Sequence, residues 1–315
     1  MKKLLPLLLA LLLLTGCAET YSGPTRTEWV IGEFTKEQHS PWTDYVQIDR
    51  IIYSYDILGN LAQTLEYRDG EEKIKTVYTF DDRGNLLTET RYSLSGWFPK
   101  RIGLSEYTYD EQNRITSEAY DQSGTRTEIQ YIFDDEARTR TKLTNGEVTM
   151  VTTYDENGEK LAESGGTGDY WYQDTYTRRA DGKLLTEHII DSEGNEQFRR
   201  IDYDSHGSTV CVETIRNGVQ TLVRDEYEYD EQGRPVRQFR LTDTSRTLVR
   251  RWEYLDENGS VTLYDPDGTP NCTILYDERG NQISLVHYQS GTDQVGIRET
   301  TTYIQIQVPM KEDTP

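Results

Sequence analysis

The sequence predicts an all-β protein: an elongated, curled antiparallel sheet of about ten tandem β-hairpin repeats. Three observations point there. Segments close to aromatic-x-aromatic-Asp recur at a near-constant interval, a Gly or Asn follows all but one of them at a near-fixed place, and a second turn dipeptide falls about midway between them. Internal repetition of this kind sets the architecture before any single residue does.

The repeat units read Tyr53-Ser-Tyr-Asp-Ile-Leu-Gly59, Tyr78-Thr-Phe-Asp-Asp-Arg-Gly84, Tyr107-Thr-Tyr-Asp-Glu-Gln-Asn113, Tyr227-Glu-Tyr-Asp-Glu-Gln-Gly233 and Ile274-Leu-Tyr-Asp-Glu-Arg-Gly280, with five more at positions 131–137, 152–158, 176–182, 201–207 and 252–259. Aromatics two apart, such as Tyr78 and Phe80, share one face of a strand. The following Asp opens a turn by accepting local backbone N–H groups. The Gly suits the left-handed position that closes a type I turn with a bulge. Asn113 is the next best residue there, and Ala137 is a poor one, so its turn is the weakest match. Second turns are expected at Asp69-Gly70, Ser95-Gly96, Ser123-Gly124, Asn145-Gly146, Glu193-Gly194, Asn217-Gly218, Asp267-Gly268 and Ser290-Gly291. Two strands per unit give roughly twenty strands of ordinary length.

These repeats resemble the YD-repeat, or rearrangement-hotspot (RHS), family, whose core reads Tyr-Asp-x-x-Gly; the resemblance runs from about Tyr53 to Gly291. It implies a continuous sheet that, in large members, coils into a hollow shell. Twenty strands at about 4.8 Å span roughly 90 Å, which predicts a curled ribbon of about one turn and no closed chamber. Tyr264-Asp-Pro-Asp-Gly268 is faintly similar to the motif preceding a toxin domain in large members, but the repeats continue past it, so it reads as a hairpin turn.

The ends suggest a compartment. Lys2 and Lys3 precede an apolar run, Leu4 to Leu14, too short for a permanent bilayer helix. The run ends in Leu14-Thr15-Gly16-Cys17, which resembles the bacterial lipobox. That implies a signal peptide over 1–16, lipidation of Cys17, and an extracytoplasmic lipoprotein held to the membrane by its acyl chains. Residues 17–26 then form the lipidated cysteine and tether, 27–50 an N-terminal capping segment with Trp29, Phe34, Trp42 and Tyr45, 51–308 the repeat array, and 309–315 a tail.

The chain is acidic, with a formal net charge of −21, and only 34% of it is hydrophobic. Such a surface repels nucleic acid, so no DNA or RNA partner is expected. The 23 tyrosines in register argue against disorder.

No catalytic, cofactor or metal constellation emerges. His39, His188, His206 and His287 lack metal-ligand spacing, no carboxylate pair stands out, and neither a phosphate loop nor a nucleophile elbow is present. Calcium could be weighed at Asp155-Glu-Asn157-Gly158 and Asp256-Glu-Asn258-Gly259, yet the late bidentate Glu of a calcium loop is not evident. The candidate binding residues are aromatic: Trp97 and Phe98 in the longest inter-repeat insertion, and Tyr170, Trp171 and Tyr172. Exposed, they could stack on a glycan or anchor a protein; the alternative is that they pack the sheet's own concave face. The expected function is a non-catalytic, lipid-anchored surface scaffold that binds a protein or glycan. An envelope hydrolase, or an accessory of a toxin or secretion system, is the alternative. Cys211 and Cys272 fall about five strands apart, about 24 Å, beyond disulfide reach, and are expected to be free.

Overall fold

The structure is a computed structural model that describes residues 25–40, 43, 45–292 and 294–309. The leader, Cys17, most of the tether, Trp42 and the tail lie outside the described residues. The strands are β1 (Thr25–His39), β2 (Val46–Tyr55), β3 (Leu61–Arg68), β4 (Glu71–Phe80), β5 (Leu86–Ser93), β6 (Lys100–Tyr109), β7 (Ile115–Gln122), β8 (Thr125–Asp134), β9 (Thr139–Thr144), β10 (Glu147–Tyr154) and β11 (Lys160–Thr167). They continue as β12 (Tyr170–Arg178), β13 (Leu184–Asp191), β14 (Glu196–Tyr203), β15 (Thr209–Arg216), β16 (Val219–Tyr229), β17 (Pro235–Leu241), β18 (Arg246–Leu255), β19 (Ser260–Tyr264), β20 (Pro270–Tyr276), β21 (Gln282–Tyr288) and β22 (Val295–Pro309).

Each strand pairs antiparallel with the next, as the hairpin repeats require. The all-β expectation therefore holds, but the open ribbon does not. β1 pairs with β2 on one side and β22 on the other, so the 22-stranded sheet closes into a ring. At about 4.8 Å per strand the circumference is about 105 Å. The missed closure has a plain cause. The closing strands carry no motif, and their pairing, Thr35 opposite Thr300 and Lys36 opposite Glu299, joins opposite ends of the chain.

Two kinds of turn recur. At the motif rim, Asp81 shows why Asp-x-x-Gly recurs. Its Oδ1 accepts from the N–H groups of Arg83 (2.9 Å) and Asn85 (2.8 Å), while the Gly84 N–H donates to the Asp81 carbonyl at 3.0 Å. Gly84 has φ +86°. The same closure also occurs at the opposite rim, where Gly194 donates to the Asp191 carbonyl (3.1 Å) between β13 and β14 and Gly268 to the Asp265 carbonyl (3.0 Å) between β19 and β20, in place of the two-residue turns expected at Glu193-Gly194 and Asp267-Gly268. Ala137 corrects an expectation: the positive φ (53°) falls on Arg138 instead. At the opposite rim, Asp69-Gly70, Ser123-Gly124, Asn145-Gly146 and Asn217-Gly218 have positive φ at both residues, the type I′ geometry that matches strand twist. Gly96 does not, and residues 94–99 form a wider loop.

The second aromatic of the motif has a role its spacing did not reveal. Tyr109 Oη donates to the Leu86 carbonyl at 2.9 Å, Tyr203 to Leu184 at 2.9 Å and Tyr254 to Pro235 at 3.1 Å. Each bond ties one repeat to the carbonyl just past the preceding motif turn. Tyr55 does the same to Ile31, at 2.8 Å, which fastens the first repeat to β1.

The wall is one layer thick. Among the described residues the buried apolar side chains are few: Ile201, Val261, Cys272, Val286 and Val308. Stability therefore rests on ladders and cross-strand pairs more than on a layered core. The face bearing the motif tyrosines is the less exposed of the two, the one a curling sheet crowds. It also carries Glu89, Glu118 and Glu187, directly opposite Tyr78, Tyr107 and Tyr176. The other face carries ion pairs such as Arg126–Glu106 (2.8 Å) and Arg246–Glu226 (3.0 Å). Cys211 and Cys272 are free thiols on β15 and β20, and burial pushes the Cys272 thiol up.

Candidate binding rim

The exposed aromatics are not scattered. Among the described residues they are Trp29, Tyr45, Trp97, Phe98, Tyr170 and Trp171. All but Trp29 lie at the rim opposite the motif turns. Trp97 is 99% exposed and Phe98 77%, on the wider β5–β6 loop. So exposed, Trp97 and Phe98 do not pack the sheet's concave face. Val148 and Val219, 60% and 68% exposed, add apolar area at the same rim.

Two depressions open along this rim. One, of about 520 Å³, lies beneath the β5–β6 loop. Phe34, Ile51, Ile74 and Ile102 give it an apolar lining, and Ser93 and Ser95 bring in the loop that holds Trp97. Three of its cations are in ion pairs, Lys36 with Glu299 (3.1 Å), Arg68 with Asp49 (2.9 Å) and Lys73 with Glu71 (2.6 Å), and Arg50 lies 4.8 Å over the Tyr67 ring. The lip is stiffened by Asp69, which accepts from the Ile48 N–H (3.1 Å) and the Tyr45 hydroxyl (2.8 Å). Those bonds hold its carboxyl below the usual range and push the Tyr45 phenol up.

The second depression, of about 370 Å³, lies at β10–β12 and is lined by Val148, Ser164, Gly166, Trp171 and Gln173, among others. Here two glycines matter. A Cβ on Gly166 would fall 2.1 Å from the Tyr170 carbonyl oxygen, and one on Gly165 would fall 2.6 Å from the Thr149 carbonyl oxygen and 3.0 Å from the Tyr172 ring. The bare backbone lets β11 and β12 approach closely. A third hollow, of about 570 Å³ between Asp81, Arg83, Tyr107 and Asp110, belongs to the motif turns themselves.

Tyr170, Trp171 and Tyr172 do not act as one platform. Trp171 faces away from its neighbours, as strand alternation requires. Tyr172 donates to Glu163 at 2.9 Å; burial first, then that carboxylate, pushes its phenol up to about 12. Trp97 and Trp171 share a rim but stand six strand spacings apart, about 29 Å along the wall, so one small ligand cannot bridge them.

Asp174 was not singled out by sequence. It sits directly opposite Glu163, is 7% exposed, accepts from Tyr176 through one oxygen and leaves Oδ1 without a hydrogen-bond partner. Burial, with Glu187 and Glu163 adding to it, raises its pKa. The signal was two residues beyond Tyr172, hidden among many acidic positions. A carboxyl whose folded pKa is raised costs stability above that pKa and is relieved as pH falls through it. Asp174→Asn should therefore raise the melting temperature at pH 7, with the gain shrinking toward pH 4. Thermal scans across that range check it; an equal gain at both ends would show that charge is not the cause.

The chain matches no family model. It is 24% identical over 301 residues to human teneurin-4, covering 88% of this chain and 10% of that protein. Among solved structures it is similar to TcdB2-TccC3 without its hypervariable C-terminal region, at 17% identity and a TM-score of 0.37, over 88% of this chain and 18% of that one. It is also similar to a porin-like protein from Bacteroides uniformis, at 11% identity and a TM-score of 0.29, over 90% of this chain and 100% of that one. The chain thus spans about a tenth of the teneurin and under a fifth of TcdB2-TccC3.

Proposed function

We propose that this is a non-catalytic, lipid-anchored scaffold of the bacterial cell surface, held through Cys17, which binds a protein or glycan at its aromatic rim. The observation that carries the reading is the gathering of Tyr45, Trp97, Phe98, Tyr170 and Trp171 at one end of the ring. Large apolar groups held in water by a stiff wall mark a binding surface. No helix among the described residues is long and apolar enough to cross a membrane. Both faces of the wall carry charges at mid-strand, whereas a membrane-spanning barrel turns an apolar band outward.

Binding of wild type, Trp97→Ala and Trp171→Ala to a glycan panel and to an envelope protein fraction tests the reading. Truncating an anchor should weaken binding by about 30-fold, and Trp97→Ala should leave the urea midpoint unchanged, because Trp97 packs on nothing. Unchanged binding by both variants would move the site off this rim. An envelope hydrolase would need a pair of carboxyls, and Glu163 directly opposite Asp174 is the pair the geometry offers. Against that, Glu163 is held by Tyr172 and by Lys160 at 3.3 Å. Asp174→Asn should leave binding intact under the scaffold reading.

A further inference from the structure

We infer that the protein stands on its membrane with the motif-turn rim toward the bilayer and the aromatic rim outward, so that the rim's partner is not the anchoring bilayer. This rests on the proposed anchor at Cys17; the orientation comes from the fold. His39, at one end of β1, lies opposite Val46 at the aromatic rim. The other end overshoots the ring. Tyr55, the last residue before a motif turn, already reaches Ile31, and Thr25–Ile31 continues beyond it, paired with Tyr303–Pro309.

This two-stranded extension is fixed to the motif turns on both sides. A Cβ on Gly59 would lie 2.5 Å from Val308 Cγ1, and the Arg279 guanidinium sits 3.5 Å over the Trp29 ring. The chain therefore enters the ring from beyond the motif rim.

Lengths decide what the anchor can reach. The 15 residues of β1 span about 50 Å, and about 38 Å along the ring axis at a tilt of about 40°. Seven residues lie between Cys17 and Thr25, and these eight Cα-to-Cα steps reach at most about 28 Å fully extended. Such a tether cannot fold back far enough to seat the aromatic rim on the membrane that holds Cys17. Charge sets the standoff from the surface and not the orientation. The motif turns expose Asp82, Glu111, Glu136, Glu156, Glu231 and Glu278, and anionic headgroups repel that rim. It is held off the surface rather than embedded.

The test uses the lipidated protein purified from membranes, with Cys211→Ser and Cys272→Ser, reconstituted on phosphatidylglycerol-containing vesicles that carry an acceptor lipid. A donor dye is placed at Leu58→Cys on the motif rim or Val219→Cys on the aromatic rim, positions 57% and 68% exposed. Energy transfer to the bilayer should be several-fold stronger from position 58. Equal or stronger transfer from 219 on membrane-bound protein overturns the orientation and leaves the anchor standing. If Cys17→Ser stays in the membrane fraction, or the wild-type protein fails to partition to vesicles, the anchor falls and the orientation with it.

Discussion

Gly59→Val should be the most damaging single turn substitution, costing about 3 kcal/mol or more. Two penalties combine. Gly59 has φ +88°, where a β-branched L-residue is strained by about 1–2 kcal/mol, and its new Cβ would meet Val308 Cγ1 at 2.5 Å, which adds overpacking of about 1–3 kcal/mol. Gly84→Val isolates the first penalty. Its φ is +86°, but the nearest atom to a Cβ, Asn60 Oδ1, is 3.8 Å away, so about 1–2 kcal/mol is expected. Ala137→Val should stay within about 0.5 kcal/mol, because Arg138 takes the left-handed position. Urea midpoints of the three variants order them. Equal effects at 59 and 84 would mean that Val308 does not pack on the first motif turn.

Removing β22 by ending the chain at residue 294 should have a still larger effect on behaviour in solution. β22 carries two ladders, one to β21 and a long one to β1 that runs from Thr25–Pro309 to Gln38–Ile297. Its loss frees the edges of both β1 and β21, and exposed edges recruit other chains. The truncated protein should shift from monomer to dimers and larger species in size-exclusion chromatography, with a lower melting temperature. In an open ribbon the same cut would merely exchange one free edge for another, and the monomer would persist.

Much of this architecture is legible in the sequence because it is local. Asp81 and Gly84 lie three residues apart and specify their turn together; Asn145-Gly146 specifies its own. Strand number and alternation follow from spacing. The separation of Cys211 from Cys272 follows from counting hairpins. What was not legible depends on contacts between distant segments. Closure joins Thr35 to Thr300, and no repeat motif marks either strand. Arg138 replaces Ala137 at the left-handed position because that turn runs one residue longer, which the alignment of motifs concealed. The partners of the motif tyrosine hydroxyls, the carbonyls of Leu86, Leu184 and Pro235, belong to a neighbouring strand that no local motif specifies. At the rim, Trp97, Phe98, Tyr170 and Trp171 were visible as aromatics outside the repeat pattern. The bare Gly166 beside Trp171 and the buried Asp174 were not, since a glycine and an acid are unremarkable in this composition.

Ring closure is tested most directly by cysteine pairs across the seam. Thr35 faces Thr300 and Lys36 faces Glu299. Successive antiparallel pairs alternate in hydrogen bonding, so one of the two places its side chains closer together. Each pair is introduced with Cys211→Ser and Cys272→Ser, and the folded monomer is oxidised gently and mapped by mass spectrometry. The closed ring requires an intramolecular bridge in at least one pair, within the Cα separation a disulfide allows. In an open ribbon those strands would lie at opposite edges, about 100 Å apart along the sheet. Free thiols or only intermolecular bridges in both variants would contradict the closed ring.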